Sequence, residues 1–93
     1  MPFENHGSRS FTMSSVNKNA PAASGVYGLS NSAQWLYVGE TDNIHAELRR
    51  HLEYPEGFLR EYRPSGFTFE LSPQESRLER QGQLVAELEP AGN

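Results

Sequence analysis

Cysteine is absent from the 93 residues, which removes disulfides and thiolate zinc sites and leaves packing to hold the fold. Long apolar runs are absent as well. None approaches the roughly 20 residues needed to cross a bilayer, and the polar stretch from Met1 to Ser15 lacks the apolar core of a secretion signal. The expected setting is therefore cytoplasmic, with no membrane partner. Positive charge is also short: eight Lys and Arg stand against twelve Asp and Glu, a formal charge of −4. Nucleic-acid binding draws on neutralised phosphates, so the overall balance disfavours it. The arginines nevertheless cluster locally, at Arg49 and Arg50, Arg60 and Arg63, and Arg77 and Arg80.

What is present fits one small domain with room for one core. Residues 1–10 are small and polar with one isolated aromatic, so they are expected to form a flexible tail, with a single domain over residues 11–93. Phe11, Met13 and Val16 are expected to lie extended against the domain edge. The runs Gly25-Val26-Tyr27-Gly28-Leu29-Ser30 and Gln34-Trp35-Leu36-Tyr37-Val38-Gly39, joined by the polar cluster Asn31-Ser32-Ala33, predict a β-hairpin. Thr41 or Asp42 then caps a helix whose apolar stripe is Ile44, Leu48 and Leu52.

After the break at Tyr54-Pro55-Glu56-Gly57, residues 58–62 suit a short helical turn, and Phe67 to Leu71 alternate as a third strand. Ser72-Pro73-Gln74-Glu75 reads as a capping box that opens a last helix, with Leu78, Leu84, Val85 and Leu88 inward and Gly82 marking a close approach to the sheet. The expected architecture is α+β: a small three-stranded antiparallel sheet flanked by helices, in the order β-β-α-(α)-β-α.

Gly25-Val26-Tyr27, followed ten residues after its tyrosine by Tyr37-Val38-Gly39 and then Glu40-Thr41-Asp42-Asn43-Ile44, resembles the signature of the GIY-YIG nuclease family. The similarity runs over residues 20–93 and takes in Leu84-Val85, Glu87, Pro90 and the closing Asn93. The resemblance implies a concave surface lined by two tyrosines, a first-helix arginine, a last-helix glutamate that holds one Mg²⁺ or Mn²⁺, and an asparagine, acting together on DNA. Position by position it implies Tyr27, Tyr37, His51 and Asn93 as catalytic counterparts, with Glu47 in place of the arginine and Gln81 in place of the glutamate.

Both replacements oppose phosphodiester chemistry. A guanidinium 4 Å from a phosphate gains on the order of 4 kcal/mol at an effective dielectric of 20, and a carboxylate there loses a similar amount. An amide lacks the charge that holds a hard cation against water. Arg50 is the one helical neighbour able to stand in for the arginine, since Arg49 turns roughly 160° away. Glu79 faces away from Gln81 by the same geometry. An exchange of roles between Glu47 and Arg77 is a further expectation.

Three readings follow. The first is a catalytically degenerate domain that binds a protein or nucleic acid, with no metal ligand and no cofactor. The second is an active divergent DNA endonuclease in which Tyr27, Tyr37, Arg50 or Arg77, and His51 carry the reaction, with Mg²⁺ or Mn²⁺ held by a ligand such as Glu75 or Glu79; Arg49, Arg50 and Arg77 are the candidate nucleic-acid contacts. The third is a protein-interaction domain with no nucleic-acid contact. Monomer and homodimer are equally compatible with all three.

Overall fold

The computed structural model describes residues 8–55 and 57–93, apart from the Phe58 side chain. The chain runs β1 (Arg9–Ser10), α1 (Met13–Asn19), β2 (Gly25–Ser30), β3 (Trp35–Thr41), α2 (Ile44–Glu53), α3 (Gly57–Tyr62), β4 (Gly66–Leu71) and α4 (Gln74–Leu88). All strand pairings are antiparallel, and the sheet has four strands in the order β1-β4-β2-β3.

The fourth strand corrects the expectation of three. Arg9 and Ser10, read from composition as part of a tail, pair with Phe67 and Gly66 on the free side of β4. A two-residue edge strand carries no hydrophobic alternation, which is why the sequence did not announce it. Residues 1–7 of that stretch lie outside the described residues. The segment after β1 is helical rather than extended. Extended Thr12 accepts a hydrogen bond from the Ser15 N–H at 3.2 Å, an N-cap, and Val16 becomes fully buried.

The hairpin closes as its residues predict. Asn31 Oδ1 accepts from the Ala33 and Gln34 N–H groups, both at 2.8 Å, and the Asn31 N–H donates to the Gln34 carbonyl at 3.0 Å. Leu29 pairs with Tyr37 but Ser30 with Trp35, so Leu36 is the extra residue of a bulge. Helix α2 is capped by Asn43, whose Oδ1 accepts from the Ala46 N–H at 3.0 Å. Thr41 acts one step earlier, accepting from the Asn43 N–H at 3.1 Å.

Alternation along the strands builds two layers on the sheet. Tyr27, Leu29 and Phe67 face α1, α2 and α3 and pack with Val16, Ile44, Leu48 and Leu59, while Val26 and Val38 face α4 and pack with Leu84. Helix α4 departs from expectation in three ways. Extended Pro73 is its N-cap, with no side-chain cap bond, so the capping box at Ser72 does not form. Leu78 is 68% exposed, and nothing lies within 4 Å of a Cβ added at Gly82.

The cause is rotational. Two ion pairs, Arg77 Nε to Glu40 Oε1 at 2.5 Å and Arg80 Nε to Glu70 Oε2 at 2.8 Å, tie the 77–80–81–84 face to the sheet. Leu78, about 100° around from Arg77, is turned outward.

The chain end closes the sheet. Ala91 N–H donates to the Trp35 carbonyl at 3.2 Å, Gly92 N–H to the Leu36 carbonyl at 2.7 Å, and the Asn93 carboxamide brackets Val38. The outer edge of β3 is thereby paired, as an exposed strand edge requires. Among the described residues no helix is long and apolar enough to cross a membrane.

Candidate functional site

The paired glycines of the two signature segments have a steric reason. A Cβ at Gly39 would sit 2.5 Å from both Cζ and Oη of Tyr27, so the phenol lies directly on the bare Gly39 backbone. A Cβ at Gly25 would collide with the Glu70 carbonyl oxygen and lie 2.8 Å from Ile44 Cδ1. One glycine seats the tyrosine, and the other lets β4 and α2 close on β2.

Tyr27, Tyr37 and His51 form a three-ring cluster, with centroid separations of 6.2 Å for the two tyrosines, 5.7 Å for Tyr27 and His51, and 6.0 Å for Tyr37 and His51. Tyr27 is 1% exposed, and its hydroxyl lies 2.8 Å from His51 Nε2. Glu47, one helical turn before His51, brings its carboxylate to 3.6 Å from the same nitrogen. It is gripped by Arg50 through Nη2 at 2.6 Å and Nε at 3.4 Å.

Burial, with the Glu47 charge adding to it, pushes the Tyr27 phenol well above the ordinary tyrosine range, so it is a neutral hydrogen-bond donor and not a base near neutral pH. The Arg50 hydrogen bond holds the Glu47 carboxyl below the usual range against the opposing effect of burial. The Arg50 and His51 charges and a hydrogen bond from Tyr27 act in the same sense as that bond. The Tyr27 hydroxyl hydrogen-bonds the His51 imidazole, whose Nε2 also faces the Glu47 carboxylate that Arg50 grips.

A pH dependence follows. The folded pKa of Glu47 lies below its unfolded value of about 4.3, so its contribution is complete above that value and is lost as pH falls through the folded pKa. Glu47→Gln is expected to be less stable than the parent at pH 7 and to approach it at pH 3, as read by urea denaturation. A gap that stays constant would show that Glu47 is not coupled to Arg50 and Tyr27.

Other implied residues lie elsewhere. Asn93 Oδ1 accepts from the Val38 N–H at 2.7 Å and its Nδ2 donates to the Val38 carbonyl at 2.9 Å, so it grips the centre of the second signature segment by its backbone. Gln81 Nε2 donates to that same carbonyl at 3.1 Å. Arg77, bound to Glu40 and at 3.0 Å to Ser24 Oγ, lies on the α4 side of the sheet, whereas Glu47 lies with the tyrosines, so the expected exchange of roles between Glu47 and Arg77 does not occur. Arg49 pairs outward with Glu53 at 3.5 Å. Arg49, Arg50 and Arg77 therefore do not converge on one surface.

Glu40 and Glu70, the partners of Arg77 and Arg80, were missed from sequence. Strand parity was the available signal: Glu40 lies two residues from Val38 and shares its α4-facing side.

The residues do not fit a hard divalent cation. The position the resemblance assigns to a metal carboxylate holds an amide whose NH₂ is already committed to Val38, leaving one neutral oxygen. Among the described residues no group of three or more His, Asp or Glu is placed to hold a metal. Glu75 and Glu79 stand exposed on α4, and Glu79 borders a polar groove with Glu70, Ser72, Ser76, Arg80 and Gln83, away from the tyrosines.

No protein-family model matches the chain, and a comparison with curated proteins finds no match. Solved structures are similar to it. The magnesium-bound GIY-YIG N-terminal endonuclease domain of UvrC from Thermotoga maritima superposes with a TM-score of 0.70 at 20% identity, over 84% of this chain and 94% of that one. A tyrosine-to-phenylalanine point mutant of that domain gives 0.71 at 18% identity over the same shares. An asparagine-to-alanine mutant gives 0.69 at 18% identity, over 82% and 91%. At such identities the likeness speaks to the backbone alone, and with the four-stranded sheet, the flanking helices and the glycine-seated tyrosine it establishes that this chain has a GIY-YIG-like fold.

Proposed function

We propose that the domain is a binding module built on a nuclease fold, and that it does not cut nucleic acid. The observation that carries this reading is the Glu47 carboxylate beside the buried Tyr27 hydroxyl, at the position where strand scission calls for a free guanidinium. Arg50, the one neighbour able to replace it, is bound to that carboxylate at 2.6 Å. A phosphate approaching the tyrosines meets a carboxylate whose charge Arg50 offsets, so it gains none of the roughly 4 kcal/mol that a free guanidinium 4 Å away supplies at a dielectric of 20. Around the buried Tyr27 the surface presents the partly exposed Tyr37 ring and the Glu47–Arg50 carboxylate–guanidinium pair, groups able to hydrogen-bond with a partner protein. The net charge of −4 favours a protein over a nucleic acid in the same way.

Incubation of the purified chain with Mg²⁺ or Mn²⁺ and branched, nicked and single-stranded DNA is expected to give no cleavage. Robust cutting that disappears in Tyr27→Phe would establish the runner-up reading, an active divergent endonuclease. Retention on immobilised DNA is expected to be weak and to strengthen in Glu47→Arg at low salt.

A further inference from the structure

A second surface, sharing no residue with the tyrosine cluster, is built where α2, α3 and the approach to β4 meet. Phe11, Leu52, Pro55, Leu59 and Pro64 line a groove of about 330 Å³, together with the exposed Arg60 and Arg63. Phe11 and Leu59 belong to the main core, 8% and 7% exposed, so the floor is held rigidly from below. Tyr54 and Tyr62, on α2's C-cap and the last residue of α3, are 69% and 45% exposed. An apolar floor with a few charged groups at its edge is the common form of a ligand groove.

The charge distribution says what it takes. Arg49, Arg50, Arg77 and Arg80 each have a carboxylate within 4 Å: Glu53, Glu47, Glu40 and Glu70. Arg60 and Arg63 have no such partner among the described residues, in a chain where acids outnumber bases twelve to eight. Two guanidinium groups with no carboxylate partner among the described residues, beside an apolar cleft, complement a segment that pairs a bulky apolar side chain with adjacent carboxylates. A nucleic-acid strand fits less well, because five of the seven lining residues are apolar and offer its phosphates nothing.

We propose that this groove docks a short acidic–hydrophobic peptide segment of a partner protein, the apolar anchor inserting between Leu52, Leu59 and Pro64 and its flanking carboxylates bridging Arg60 and Arg63. The proposal stands apart from the reading of the tyrosine cluster and survives if that domain proves to be an active nuclease.

The test is selection from a displayed random heptapeptide library against the full chain. The affinity of the selected peptide is then measured by fluorescence anisotropy, and its site is located by amide chemical shifts. The expected consensus joins an aromatic or leucine to one or two Asp or Glu, shifts the Leu52 and Leu59 amides, weakens at least tenfold in R60E/R63E and is unaffected by Tyr27→Phe. Both arginines lie on the surface segment that closes α3, and circular dichroism confirms that the reversed variant folds. No enrichment, a consensus without carboxylates, or equal affinity for R60E/R63E would overturn the proposal. So would a single-stranded heptanucleotide that displaces the peptide at lower concentration, which would assign the groove to nucleic acid. Tighter peptide binding after deletion of residues 1–7 would assign it to the chain's own N-terminus and equally overturn it.

Discussion

Gly25→Ala is expected to destabilise the domain by about 3 kcal/mol or more, at the upper end of what overpacking costs. The added methyl would strike the Glu70 backbone carbonyl and approach Leu71 Cα to 3.1 Å, and neither can swing aside as a side-chain end could. Relief would require β2 and β4 to part along the register that pairs Gly25 with Leu71. Gly82→Ala is the opposite case, a mid-helix glycine with open space around its missing Cβ, expected to gain about 1 kcal/mol from helix propensity alone. In a domain this size that difference separates the two melting temperatures by more than about 15 °C, with the parent between them. Thermal denaturation of the three proteins decides it. A Gly25→Ala protein that melts with the parent would mean that β4 does not close on β2 as described.

Arg80→Ala is expected to lose about 3 kcal/mol, because the buried Glu70 carboxylate would lose its bidentate guanidinium partner. The pair is bidentate, with Nε to Oε2 at 2.8 Å and Nη2 to Oε1 at 3.0 Å, and the Glu70 side chain is 11% exposed. The cost belongs to breaking the pair rather than to lacking one. The double replacement Glu70→Leu with Arg80→Met, which removes both charges and keeps the volume, is therefore expected to fall within about 1 kcal/mol of the parent. Urea denaturation of the three proteins measures both quantities. If Arg80→Ala kept its stability and lost affinity for DNA, this arginine would be a binding group and not a tie between α4 and the sheet.

The same pair explains where sequence reasoning stopped. Periodicity placed Ile44, Leu48 and Leu52 on the core side of α2, and all three pack there, with the His51–Tyr27 contact on the same side of the helix. On α4 the apolar positions are sparse, and the bonds from Arg77 to Glu40 and from Arg80 to Glu70 set the rotation instead. Leu78 was assigned inward from its type alone, and the helix turned it out.

The site divides along similar lines. Tyr27, Tyr37 and His51 were grouped in sequence only through the family resemblance, and the fold brings their rings together. The position of Glu47 was legible too. Its partner was not, since Arg49 and Arg50 differ only in which way a long flexible side chain leans. The outcome, Arg50 on Glu47 and Arg49 on Glu53, is decided by neighbours one turn away in opposite directions. Asn93 was expected among the tyrosines and lies instead on the Val38 backbone, closing a strand edge.

By itself the sequence determined the hairpin and the chemical character of positions 47 and 81, because each depends on residue type and short-range spacing. Only the tertiary structure decided the fourth strand, the face of α4, the bonds of the arginines and the groove beside Arg60 and Arg63. Those depend on which distant groups arrive within hydrogen-bonding or van der Waals reach, and forces that act over a few ångströms leave no periodic trace in the order of residues.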